Sequence, residues 1–478
     1  MSDASPTPVS TGSPAQNTSG GLPSIRPRER DAILQSLRAG VVPKTGQQHI
    51  QVGRRAEIEA LLRDIERIAD GGSSLRLVIG EYGAGKTFFL NLVRSIAQEK
   101  KLVTAQADLN PDRRLHATAG QARSLYAELM RSLSTRAKPE GGALPAVVER
   151  FISTAIEEAT GRGVTTDAVI AERLKALSEL VGGFDFAQVI ALYWQADERG
   201  DETLKGSALR WLRGEFATRT DARTALGTSI RTIIDDANIY DQIKLLARFV
   251  RLAGFGGLLI CLDELVNLYK LPHSQARNSN YEQILRILND SLQGGAEGCG
   301  WILGGTPEFL MDPRRGLFSY AALASRLEEN AFAAQSGLVD YSGPVIRLSR
   351  LTPEDLYVLL GKLRHVFAGG DPSKYLVPDE ALQAFMEHCN QRIGDAYFRT
   401  PRTTIRAFID MLSVLEQNPG TPWTDLVQAL PVEADHGGDT DVVGVSSGDA
   451  TPTKPATPPV AGAAPGDDDD ELTTLRLG

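Results

Sequence analysis

The stretch Leu75-Arg76-Leu77-Val78-Ile79-Gly80-Glu81-Tyr82-Gly83-Ala84-Gly85-Lys86-Thr87-Phe88-Phe89-Leu90 decides the fold. Its first five residues are an apolar run, which predicts a buried strand. Gly80 to Thr87 then fits G-x-x-x-x-G-K-[ST]. Phe88 to Gln98 follows as an amphipathic helix. Strand, glycine loop and helix in this order make a P-loop. Glycines let the backbone wrap around phosphates, and free N–H groups at the helix start donate to them. Lys86 supplies a cation for the terminal phosphates, and Thr87 a hydroxyl for Mg²⁺. The residues expected to line the nucleotide here are Gly80, Glu81, Tyr82, Gly83, Ala84, Gly85, Lys86, Thr87 and Phe88. A chance glycine turn can carry a lysine, but it has no reason to sit between a strand and a helix.

A second stretch answers the first. Phe255-Gly256-Gly257-Leu258-Leu259-Ile260-Cys261-Leu262-Asp263-Glu264 is a continuous apolar run ending in two acids. Such a run suits a central parallel strand, buried on both faces. Its C-terminal end is the sheet edge where ligands sit. This is a Walker B pattern. Asp263 is expected to hold Mg²⁺, and Glu264 to orient or deprotonate the attacking water.

Composition narrows the remaining choices. The chain's 478 residues allow two or three domains. No run approaches the roughly 18 apolar residues of a membrane span. Met1 to Leu22 has no apolar core, so no signal peptide is expected and the setting is expected to be cytoplasmic. Cys261, Cys299 and Cys389 lie far apart, and the six histidines are scattered, so no metal cluster is expected. The formal charge of −9 is concentrated at one end. From Val432 onward there are ten acids against two bases, which leaves the rest close to neutral. Such a body is neither an obvious polyanion binder nor excluded from being one.

In chain order, residues 1–24 are expected to be a disordered tail, being rich in Ser, Thr, Pro and Gly. A helix is predicted from Arg26 to Ala39, and another carrying Ile58, Leu61, Leu62, Ile65 and Ile68. The P-loop ATPase core is assigned to 25–114 and 253–350. Between its halves, 115–252 reads as a helical insertion. The one aromatic–basic cluster there, Arg210-Trp211-Leu212-Arg213, reads best as a partly buried tryptophan between solvated arginines. Three apolar stripes over 351–431 predict a small helical lid. The remainder, 432–478, reads as a disordered acidic tail.

These pieces resemble the ATP-binding proteins of BREX-type phage-defence loci, an AAA+/STAND-like P-loop group. The resemblance rests on Gly40 to Glu57, Gly80 to Leu90, Ala208 to Glu215, Cys261 to Leu265, Gly304 to Leu310, Ser319 to Leu327 and Thr400 to Phe408. It implies an α/β fold: an AAA+-like parallel sheet with a large helical insertion and a C-terminal helical lid. It implies that Val52, Gly53 and Arg54 lie against the adenine. It puts Thr306 where a polar residue contacts the γ-phosphate or the water, although a Thr-Pro turn explains the same residues. It places Arg402 in the lid's sensor position and Arg326 as an arginine finger, with Arg315 as the alternative. A plain helix-surface ion pair with Glu328 or Glu329 is the competing reading of Arg326.

The function that follows is an ATPase acting as a switch or motor in anti-phage defence, with ATP and Mg²⁺ as cofactors. Expected partners are helicase or DNA-modifying proteins of the same system, and an ATP-dependent homo-oligomer. DNA is a candidate partner that the sequence does not show. The alternatives are a nucleotide-gated scaffold with little turnover and a DNA-loading ATPase.

Overall fold

Strand β1 (Ser74–Gly80) is buried along its whole length, as its apolar run predicts. The computed structural model describes residues 25–432, so the expected tail 1–24, and all of the tail expected over 432–478 except Val432, lie outside the described residues. Four further strands follow: β2 (Val103–Asp108), β3 (Leu258–Asp263), β4 (Cys299–Gly305) and β5 (Val345–Leu348). All pair in parallel, in the order β2-β3-β4-β1-β5. A parallel sheet needs both faces covered, and the period-two alternation supplies two apolar faces. Val78, Leu259, Cys261 and Ile302 pack under the helices Arg55–Ala69 and Lys86–Glu99. Leu77, Ala105, Ile260 and Trp301 point the other way.

Arg76 is the exception inside this apolar strand. Its Nε donates to Asp64 Oδ2 at 2.5 Å, and its Nη1 to the Tyr341 carbonyl at 2.9 Å. The paired guanidinium is therefore satisfied although buried.

The segment 115–252 is helical, as its periodicity predicts. Its apolar residues join the core of the second sheet face: Tyr240 lies 6.2 Å from Trp301 of β4, ring to ring. Phe151, Phe186, Phe249 and Trp211 form the aromatic centre of this layer. Trp211 is fully buried and donates to the Thr232 carbonyl at 3.2 Å. Arg210 lies over the Phe216 ring, and both Arg210 and Arg213 approach Glu215. The helix Arg219–Leu226, capped by Thr218, carries too few apolar residues to stand out by periodicity.

The C-terminal helices Pro353–Phe367, Asp379–Ile393, Arg402–Gln417 and Trp423–Ala429 share a separate apolar cluster. The first starts with a capping box: Thr352 and Asp355 satisfy each other's backbone N–H. Ile33 and Leu34 of the N-terminal helix Pro27–Arg38 belong to this same cluster. Arg30 ties that helix down, donating to the Phe367 carbonyl at 2.7 Å. The segment before Ile50 thus packs with the lid, although it precedes the sheet in sequence. The fold is an α/β P-loop NTPase sheet with a helical insertion and a helical lid.

Candidate functional site

Parallel pairing aligns the C-terminal ends of β1, β4, β3 and β2. Ile79 is opposite Gly305, Leu262 opposite Leu303, and Asp108 opposite Asp263. The loops that leave these ends build the site.

The glycine loop leaves β1. Gly83 and Gly85 have φ of 80° and 78°, in the left-handed region that favours glycine. Gly85 caps the helix Lys86–Glu99, so the N–H groups of its first turn lack helical partners. A Cβ on Gly85 would have nothing within 4 Å, leaving an open cradle beside those donors. Lys86 Nζ donates to the carbonyls of Gly80 at 2.8 Å and Glu81 at 3.0 Å. Burial lowers the Lys86 pKa, while Asp263, Glu264 and Glu308 oppose the shift. Next to it, Thr87 Oγ1 donates to Asp263 Oδ2 at 2.7 Å. A hydroxyl and a carboxylate at this spacing are hard oxygen donors suited to Mg²⁺.

Gly304 makes room for that carboxylate: a Cβ there would stand 2.5 Å from Asp263 Oδ1. The same oxygen accepts from the Glu264 N–H at 2.9 Å. Glu264 has φ of 59°, an uncommon conformation for a non-glycine residue. It turns an exposed carboxylate out at the strand end. Partial desolvation and then the neighbouring Asp263 raise its pKa. Asp108 is a third carboxylate here, its pKa raised by desolvation and again by Asp263. Sequence reading missed Asp108, although it too ends a strand, as Asp263 does.

Thr306 emerges from β4, between Gly80 and Asp263. Its side chain accepts from the Phe309 N–H at 3.4 Å, capping the helix Pro307–Met311. Arg54 reaches the loop backbone: one nitrogen, Nη2, donates to the Ala84 carbonyl at 2.8 Å and the Ser349 carbonyl at 2.6 Å. Val52 and Phe88 pack against the lid cluster. A Cβ on Gly53 would lie 3.4 Å from Asp355 of the lid's first helix.

The other arginines stand apart. Arg402 lies against Gly40, its Cδ 3.2 Å from where a Cβ there would be, and has no hydrogen bond to the loop among the described residues. The lid instead meets the loop through its backbone: a Cβ on Gly83 would come 2.7 Å from the Arg399 carbonyl. Arg326 is exposed and, among the described residues, donates only to the Ala322 carbonyl of its own helix, at 2.8 Å. No ion pair joins it to Glu328 or Glu329; Glu329 pairs with Arg347. Arg315 is held by the carbonyls of Tyr269 and Leu271 at 3.1 and 3.2 Å.

With this geometry in place, the family model described as "BREX system ATP-binding protein BrxC/D" matches residues 25–430. The chain belongs to this family. That description assigns the family ATP binding within a BREX system. Among solved structures, one similar chain is described as "Structure of the Aeropyrum Pernix ORC2 protein (ADPNP-ADP complexes)". The TM-score is 0.38 at 14% identity, over 79% of this chain and 66% of that one, just under two thirds of its length. Among curated proteins none matches. No described helix is long and apolar enough to cross a membrane.

Proposed function

We propose that this family member hydrolyses ATP and uses the cycle as a switch or motor within its defence system, in the cytoplasm. The observation that supports this best is the Thr87–Asp263 contact at 2.7 Å, which joins the P-loop to the acidic strand end. Lys86 and the loop N–H groups hold the terminal phosphates. Thr87 and Asp263 hold Mg²⁺, which when bound neutralises charge on those phosphates. Glu264 orients or deprotonates a water in line with the γ-phosphate. Thr306, between the two strand ends, offers that water a hydroxyl contact beside the Glu264 carboxylate. Val52, Gly53 and Arg54 form the adenine side, next to Phe88.

In this reading Arg326 serves a neighbouring copy, and Arg402 reaches the nucleotide only after the lid shifts. The helical insertion shares one core with the sheet, so movement at the strand ends is transmitted to it and from there to a protein partner. The test is ATP turnover by the full chain, with and without DNA and with and without co-purified system partners. Stoichiometric binding with no turnover under any of these conditions would replace hydrolysis with a nucleotide-gated scaffold.

A further inference from the structure

We propose that Arg350 is a positioning residue that cancels a misplaced charge in the phosphate loop and so couples nucleotide affinity to the lid. The proposal rests on the ATP-binding reading. Glu81 is the second residue of a loop built to receive a polyanion. A carboxylate there repels phosphate. Arg350 forms an ion pair with it, and no other base pairs with Glu81 among the described residues. The pair lines a cavity of about 720 Å³ that also borders Gly80. Without Arg350, the Glu81 carboxylate would have no ion-pair partner among the described residues.

Arg350 is not part of the loop. It lies between β5 and the first lid helix, Pro353–Phe367. Its neighbour Ser349 is tied to the loop residue Ala84 through one nitrogen of Arg54. The lid backbone meets Gly83 on the same loop. Linker, lid and loop therefore engage together. When they separate, the Glu81 charge is uncovered and phosphate is disfavoured. By linkage, nucleotide must favour the engaged lid to the same degree. The Arg350 Nε is buried and has no hydrogen-bond partner among the described residues. The guanidinium thus keeps a spare donor beside the loop.

The experiment measures the ATP dissociation constant of the full chain at low salt, where such charges are least screened. Arg350→Gln is expected to weaken ATP about tenfold, and AMP much less, because repulsion grows with phosphate charge. Glu81→Gln should tighten ATP. The double variant should return to within about threefold of the parent, because the two charges act on each other. Arg350→Lys, which keeps the charge, should stay equally close to the parent. An Arg350→Gln protein that binds ATP normally would overturn the proposal. So would a loss that persists in the double variant, which would mark Arg350 as a structural linker residue. Failure of the underlying reading looks different: the parent would not bind ATP, or Lys86→Ala would bind it as the parent does.

Discussion

Thr87 Oγ1 and Asp263 Oδ2 are hydrogen-bonded at 2.7 Å although 176 positions separate them in the chain. A helix start and a strand end meet there, on opposite sides of the β4 terminus. Whatever the loop holds is therefore within reach of the acidic pair. Lys86→Ala is expected to abolish ATP binding, because it removes the cation facing the phosphates. Glu264→Gln is expected to keep binding and lose hydrolysis by about 10²–10⁴-fold. Equilibrium binding and phosphate release on the same preparations check both, and parent-like turnover by both variants would rule out this site.

The raised Glu264 pKa predicts the acid limb of turnover. A base must be ionised to work, so kcat/KM should fall toward acid with a midpoint above the ordinary value of 4.5. The stability effect follows the same sign. The folded state favours the protonated acid, so ionisation costs stability as pH rises through the raised pKa. Glu264→Gln should therefore stabilise the protein at neutral pH, with the gain fading as pH falls through the raised pKa and gone below about pH 4.5. Melting curves of parent and variant across pH 4 to 8 test this; a gain that grows toward acid would contradict it.

Gly83 and Gly85 separate backbone strain from lid contact. Alanine at either must adopt a positive φ, at a cost of roughly 1–2 kcal/mol. Only at Gly83 does the new Cβ also meet the lid, at 2.7 Å from the Arg399 carbonyl. Gly83→Ala should displace the lid and speed proteolysis around Arg399 and Thr400, whereas Gly85→Ala should not. Equal cleavage rates in the two variants would count against lid docking on the loop.

Trp211 fills the centre of the insertion's aromatic layer. Trp211→Ala should cost roughly 3–5 kcal/mol of stability. Arg210→Ala, which removes a side chain stacked on Phe216 near the surface, should cost about 1 kcal/mol or less. Denaturant unfolding of both variants checks the contrast.

Arg326 has an exposed guanidinium that, among the described residues, is bonded only to its own helix. If a neighbour uses it, specific activity should rise with protein concentration. Arg326→Ala should bind ATP without turnover, a finger being worth roughly 10³–10⁵ in rate. Mixing it with Lys86→Ala should restore part of the activity, because each variant supplies what the other lacks. Full activity of Arg326→Ala in a monomeric protein would end the finger reading.

Local rules made much of this protein legible from its residues alone. Nearly continuous apolar runs predict β1 and β3, because a strand buried on both faces has no polar side to show. The loop needs glycine at 83 and 85 because the backbone there is left-handed. Lys86, Thr87, Asp263 and Glu264 sit at element ends that short sequence patterns define. What only the tertiary structure decided are relations between distant elements. The strand order puts Asp108 beside Asp263 and the Thr306 turn between two other strand ends. Folding brings Arg350 onto Glu81, Arg54 onto Ala84, and the helix Pro27–Arg38 into the lid's core. No local preference encodes these contacts. Each forms because burying the sheet on both faces fixes which loops share an edge.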